Sequence, residues 1–292
     1  TTNLPQTGQT VAIQNETELT LLATIVNAGN TLEGVTFILD SDISLTNDYT
    51  PIGQKNYPFS GTFDGQNHSV TGLTKTSSQT YTGFFGNVQN AVIKNVSLAG
   101  SFTASNYSGG LVGCSNGNLT VDNCDITIQM TGSKYVGGIV GYLGPYNSAG
   151  DILITNCINR GSIDGSESLG GIVGQVTSTI NSCTIKNSAN LGKIACSSTS
   201  PKSVGGILGL SNCEKTSFLN CVNSGQISSE VSGDNYGAIA GYVTSYNSES
   251  IDNYFYLENT ATQFVYTNST SISTWGSICG TFKEEGASLT LI

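Results

Sequence analysis

The amino-acid sequence predicts an all-β protein: a right-handed, single-stranded parallel β-helix covered at its start by one short α-helix. Two repeats carry that expectation. The first reads Tyr135-Val-Gly-Gly-Ile-Val-Gly141, with copies at Ser108-Gly-Gly-Leu-Val-Gly113, Leu169-Gly-Gly-Ile-Val-Gly174 and Val204-Gly-Gly-Ile-Leu-Gly209. Worn forms stand at Thr82-Gly-Phe-Phe-Gly86 and Tyr236-Gly-Ala-Ile-Ala-Gly241. The second repeat follows the first and reads Asn156-Cys-Ile-Asn-Arg-Gly-Ser-Ile163, Asn187-Ser-Ala-Asn-Leu-Gly-Lys-Ile194 and Asn220-Cys-Val-Asn-Ser-Gly-Gln-Ile227, with looser forms starting at Asn95, Asn123 and Asn253. These starts recur at a mean of about 32 residues, a period that marks solenoids, propellers and arrays.

The repeating unit is made of strands. Between the glycines stand pairs such as Ile139-Val140 and Ile172-Val173, β-branched runs too short for helix and bounded by Gly, Asn and Ser. A coil of that length holds three short strands and three bends, so successive coils pair in parallel at a spacing of about 4.8 Å. About nine coils would make a rod of roughly 40 Å around one continuous core. The repeat glycines are Gly83, Gly86, Gly109, Gly110, Gly113, Gly137, Gly138, Gly141, Gly170, Gly171, Gly174, Gly205, Gly206, Gly209, Gly237 and Gly241. They are expected where the backbone takes positive φ or packs tightly on the neighbouring coil.

Taken in order, residues 1–14 read as an N-terminal arm or linker. Leu4-Pro-Gln-Thr-Gly8 matches the pattern that sortases cut, but it stands ahead of a folding domain rather than at a C-terminal sorting signal. The chain starts at Thr1 with no charged-then-apolar leader, and reads as mature or trimmed. Asn15-Glu-Thr-Glu18 has the spacing of an N-cap with a reciprocal acid. Leu19, Leu22 and Val26 then repeat at helical spacing until Gly29, which predicts an amphipathic helix covering the first coil. Val35-Thr-Phe-Ile-Leu39 begins the sheet. Residues 15–256 form the β-helix, and 257–292 an end coil or cap.

Several of these segments carry a family resemblance. The helix ending in Val26-Asn-Ala-Gly29, Pro51-Ile-Gly53, the run Phe59-Ser-Gly-Thr-Phe-Asp-Gly65 and the repeated Gly-Gly-Leu/Ile-Val-Gly together resemble the GLUG-repeat β-helix family of secreted and cell-surface proteins. The likeness covers about Glu16 to Tyr256; Tyr254 stands where a Cys is usual, and the segment after Tyr256 departs from the pattern. The resemblance implies an extracellular or cell-surface setting and an adhesin-like or stalk role, with no catalytic residues to carry over.

Cys124, Cys157 and Cys221 share one slot of the second repeat, where Val96, Ser188 and Tyr254 stand in other coils. Interchange with Val predicts a buried core ladder of small apolar thiols. Disulfides among Cys114, Cys183, Cys196, Cys213 and Cys279 stay open in an oxidising compartment. No Cys-x-x-Cys occurs and His68 is the one histidine, so neither a metal nor another cofactor is expected.

The net charge is −10 with charged residues at 10%, and Arg160 is the single arginine, which excludes a nucleic-acid partner. No apolar run is long enough to insert in a membrane. Carbohydrate-active β-helices need acids meeting on one face. Asp40 and Asp42 are expected to alternate along a strand and share a face, Asp122 and Asp125 are not, and Asp64-Gly65 reads first as a turn. A non-enzymatic structural or adhesion module is therefore expected. The alternatives are a subunit of a self-assembling fibre joined head to tail, with Thr10-Val-Ala-Ile-Gln14 as donor strand, and a polysaccharide-binding or polysaccharide-degrading β-helix. The partner is expected to be a protein or glycan on a cell surface, or further copies of the chain.

Among the 13 tyrosines, Tyr107, Tyr135, Tyr142, Tyr146 and Tyr242 flank the glycine motifs. They are expected to stack as an aromatic ladder, Tyr142 with Tyr242, with a platform for sugar rings as the alternative. Gly144-Pro-Tyr-Asn-Ser-Ala-Gly150 reads as a protruding loop and the first candidate for sideways binding. Glycosylation sequons stand at Asn15, Asn67, Asn95, Asn106, Asn118 and Asn268.

Overall fold

One row of residues, Thr10, Thr36, Thr62, Val92, Thr120, Leu153, Thr184, Ser217, Tyr256 and Thr290, runs the length of the chain, each paired in parallel with the next. The architecture is a parallel β-solenoid with one short helix near its start. This computed structural model describes residues 4–145, 149–197, 203–229 and 235–244, and beyond them the backbone of five strands within 254–291. A second sheet stacks the short strands Asn106–Gly109, Lys134–Gly137, Glu167–Gly170, Ser203–Gly205, Asn235–Gly237 and Thr274–Gly276.

The helix spans Glu16–Asn27. Asn15 accepts a hydrogen bond from the Glu18 amide at 3.1 Å, while the Glu18 carboxylate accepts from the Gln14 amide at 2.7 Å. One orphan donor of the first turn and the amide just ahead of the N-cap are thereby used, a reciprocal arrangement close to a capping box. Leu19, Leu22, Ala23 and Val26 form the buried stripe, and burial contributes roughly 1.5–3 kcal/mol for each of the three larger side chains. Thr10–Ile13 is itself a strand of the first coil, hydrogen-bonded in register to Thr36–Leu39. It is committed to its own fold, and the expectation that it serves as a donor to another copy is withdrawn. At the other end the strand Tyr254–Glu258 crosses the boundary expected at 256/257, and Ser288–Leu291 pairs onto it.

The glycines differ from expectation in their reason. Gly137 and Gly138 are not among the positive-φ residues. Close approach requires them: a Cβ on Gly137 would run into the Val140 carbonyl oxygen, and one on Gly138 into the Gly171 carbonyl and the Asn159 amide. Nor do Asp40 and Asp42 lie on a strand, since Thr36–Leu39 ends before both. Asp40 accepts from the Gln14 side chain at 3.0 Å, and Asp42 accepts from the Ser69 amide at 2.7 Å.

One inward slot changes character along the rod. It holds Val70, Leu98 and Ile126 in early coils and Asn159, Asn190 and Asn223 later, all in register. The early core is aromatic, with Phe63 edge-on to Phe84 and Phe85 at 5.4 and 5.5 Å and Tyr49 stacked on Phe84 at 5.5 Å. Between residues 151 and 243, Phe218 and Tyr236 are the buried aromatics among the described residues.

Candidate functional site

The glycine corner brings two strands nearly backbone to backbone. Gly137, Gly141 and their counterparts allow it, since a Cβ on Gly141 would lie 2.5 Å from the Ser108 amide nitrogen. Tyr135, just before the corner, thereby meets Tyr142, just after it, with ring centroids 4.6 Å apart. Tyr107 stacks on Tyr135 at 5.3 Å and 10°, and leans on Tyr142 at 4.8 Å. Tyr81 extends the row, 5.2 Å from Tyr107. All four side chains are half-buried.

The row is strained. Tyr81, Tyr107 and Tyr135 have φ of 64°, 58° and 59°, the left-handed region that a bulky side chain disfavours. At its end Lys134 and Glu167, on adjacent coils, form an ion pair at 2.8 Å. The hydrogen bond to Glu167 raises the Lys134 pKa above the ordinary lysine range. Burial, and then the Glu167 charge, push Tyr135 above the ordinary tyrosine range. The cluster is thus a neutral aromatic surface with one charged pair at its edge.

A second lateral feature runs beside the asparagine slot. Asn95, Asn123, Asn156, Asn187 and Asn220 all take left-handed φ, between 49° and 55°. Their amides hydrogen-bond up the rod, Asn123 donating to Asn95 at 2.9 Å and to Asn67 at 3.1 Å, and Asn220 to Asn187 at 3.0 Å. Next to this ladder lie two shallow depressions of about 240 and 250 Å³ that share Ser97 and Asp125. Arg160 donates from Nε to both Asp125 carboxylate oxygens at 3.0 Å, so the sole arginine has a specific partner one coil away.

The remaining residues singled out in the sequence are distributed as follows. Cys124, Cys157 and Cys221 are buried in one slot, and Cys114, Cys183, Cys196 and Cys213 are also buried free thiols. Burial raises the pKa of Cys114, Cys124 and Cys183, and pushes Cys213 and Cys221 up to about 11, so these thiols stay protonated. Asp64 is engaged by Asn95 at 3.0 Å, the Gln66 amide at 2.9 Å and Lys94 at 3.2 Å. The sequon asparagines Asn15, Asn67, Asn95 and Asn118 all take part in hydrogen bonds through their side chains; Asn106 begins a strand and Asn268 lies outside the described residues. Tyr146 of the expected protruding loop, and the side chains of Tyr254, Trp275 and Cys279, are likewise outside them.

Tyr142 and Tyr242 do not stack: Gln175 and Leu210 stand between them in their row. Sequence reasoning passed over Tyr81, Lys134 and Glu167. Tyr81 was detectable, since it precedes the worn repeat Thr82-Gly83 as Tyr107 and Tyr135 precede theirs. Among the described residues no group of three or more His, Cys, Asp or Glu is placed to hold a metal ion, and no helix is long and apolar enough to cross a membrane.

No family model matches the chain, and no curated protein does. Among solved structures it is similar to a Bacteroides ovatus protein provisionally described as an immunoglobulin A1 protease, with TM-score 0.61, 21% identity, and 92% of this chain and 81% of that one covered. It is also similar to a second protein named IgA1 protease, with TM-score 0.53 and 16% identity, covering 94% of this chain but 21% of the other. Both names are those of enzymes, and they overturn the expectation of a non-enzymatic module, which rested on finding no acid or metal constellation in the sequence. At these identities the likeness establishes the fold, a β-solenoid shared with proteins bearing protease names.

Proposed function

We propose that the chain is a rigid solenoid module of a secreted or surface-displayed protein, and that it holds a protein or glycan partner against its side. The observation that carries this reading is the tyrosine row, four half-buried rings converging at the corners of three coils. Aromatic surface with hydroxyl edges is what recognition surfaces favour, because it offers large contact area at little conformational cost. The rod supports the role: a continuous hydrogen-bonded stack positions such a surface at a defined distance from whatever the module is attached to. The GLUG-type motifs fit a secreted or surface protein, and the name borne by the neighbours, IgA1 protease, makes an immunoglobulin the first candidate partner.

The first partner to test is therefore immunoglobulin A1, immobilised, with binding measured by biolayer interferometry and cleavage followed on gels. Binding supports the partner-holding role, with or without cleavage. Cleavage by this chain alone would show that it carries catalysis itself. Absence of both for immunoglobulin A1 and for a panel of cell-surface glycoproteins would sink the partner-holding role.

A further inference from the structure

We infer that Tyr81, Tyr107, Tyr135 and Tyr142, with Lys134 and Glu167 at their edge, form a binding site for a neutral saccharide, a ligand assignment that rests on reading the chain as a partner-holding module.

The argument starts from two left-handed backbone slots. In the slot beginning the second repeat, φ is between 49° and 55° at Asn95, Asn123, Asn156, Asn187 and Asn220, and every one of these is asparagine. Asparagine is the ordinary non-glycine answer to that conformation, because its short polar side chain tolerates it and bonds locally. In the slot before the glycine corner the same conformation is held by Tyr81, Tyr107, Tyr135 and, one coil further, Ser168 at φ 52°. The corner itself does not ask for a ring, as Ser168 shows. Large aromatic side chains in left-handed backbone carry strain, and such strain gathers at functional positions.

The rings also assemble with a residue that owes nothing to that slot. Tyr142 comes from the far side of the corner and leans on both Tyr107 and Tyr135, at 4.8 and 4.6 Å. The row then stops: the coil beyond Tyr135 carries buried Ser168, and beside it Glu167, which is paired with Lys134. Both members of that pair are partly exposed, Lys134 at 49% and Glu167 at 29% of the side chain.

These features select the ligand. Ring spacings of 4.6 to 5.3 Å leave the tyrosines packed on one another, with no cage between them for a quaternary ammonium group. The Lys134–Glu167 pair cancels its own charge, and the chain's net charge of −10 disfavours a polyanion. A pyranose fits what remains. Its apolar C–H face suits half-buried aromatic rings, and its hydroxyls both donate and accept, matching the carboxylate and ammonium of the pair beside them.

The test uses the whole chain and an array of neutral and acidic oligosaccharides, followed by saturation-transfer NMR with the best neutral ligand. Two variants are made: Tyr107→Ser with Tyr135→Ser, which copies the residue of the neighbouring coil, and Glu167→Gln, which keeps every ring. We expect neutral saccharides to bind, with saturation transferred from tyrosine protons to sugar ring protons. The double variant should lose binding at least tenfold, and Glu167→Gln several-fold, with thermal midpoints near the parent. Retention of saccharide binding in both variants would overturn the assignment. So would a parent that binds a protein partner but no array saccharide, a result that leaves the presenting-module reading standing. A parent that binds neither would remove both. If the double variant unfolds, Glu167→Gln decides alone: unchanged affinity there counts against the site.

Discussion

The early and late coils fill the same inward slot with opposite chemistry. Val70, Leu98 and Ile126 are buried aliphatics, whereas Asn159, Asn190 and Asn223 are equally buried amides. The backbone around them explains the exchange. In the early coils Phe85–Ala104 and Val112–Thr131 run through the slot as unbroken strands whose ladders use the backbone groups. In the late coils the chain bends just after it, and the amide supplies what the ladder no longer does. Asn159 donates to the Gly161 carbonyl and accepts from the Gly161 amide, both at 3.1 Å, and passes a further hydrogen bond to Asn190 at 2.8 Å. Asn190 repeats this with Gly192 and Asn223. A buried polar ladder is tolerated because every amide is satisfied, and it replaces a strand with a bend at constant register.

The comparison can be broken most severely at the corner both regions share. Gly138→Val would drive a branched side chain into the Gly171 carbonyl and the Asn159 amide, and should cost about 5 kcal/mol or more, abolishing the cooperative melt, whereas Ser166→Ala should shift it little. A parent-like melting curve for Gly138→Val would refute the close-approach account of the repeat glycines. Next is the exchange of the two fillings. Asn190→Leu leaves the amide and carbonyl of Gly192, the Asn159 amide hydrogens and the Asn223 oxygen without this partner, and should cost about 3–5 kcal/mol in a urea titration. Ile126→Asn places an amide where no bend waits for it, and should cost about 3 kcal/mol. If either swap is neutral, the slot is governed by volume and not by backbone need.

Smaller effects sharpen the same point. Cys157→Ser should cost about 1 kcal/mol or less, since the Cys157 thiol already points at the Thr155 carbonyl at 3.1 Å, as Ser188 donates to Lys186 at 2.8 Å one coil on. Chemical denaturation decides it, and a loss of several kcal/mol would mean the slot demands sulfur. A comparably small effect concerns Asp64 in the early coils. Burial raises its pKa, but hydrogen bonds from Asn95, the Gln66 amide and Lys94 outweigh this and hold it below the ordinary value of 3.8. A depressed folded pKa gives stability that is full above the ordinary value and is lost as the pH falls through the folded one. Asp64→Asn should therefore remove about 1 kcal/mol near neutrality and flatten the acid decline below pH 4. A variant whose melting midpoint falls with acid as steeply as the parent's would rule this out.

Periodicity was the legible part of this protein. The spacing of the two repeats, the β-branched pairs between glycines and the Asn15 to Glu18 cap specify coils, strands and a covering helix, because side-chain period and turn chemistry are local properties. The cysteine slot was legible for the same reason, through its interchange with Val96. The fourth residue of the second repeat, asparagine in Asn159, Asn190 and Asn223, was present in the sequence as plainly as the first, yet nothing local says that it faces inward. Only stacking decides that, by setting each amide on the next. The reason for Gly137 and Gly138 was hidden likewise, since a crowded backbone belongs to the neighbouring coil. The tyrosine cluster shows the division most clearly: residues 81, 107 and 135 lie in three successive coils, and they become one surface with residue 142 because parallel register aligns the first three and the glycine corner delivers the fourth.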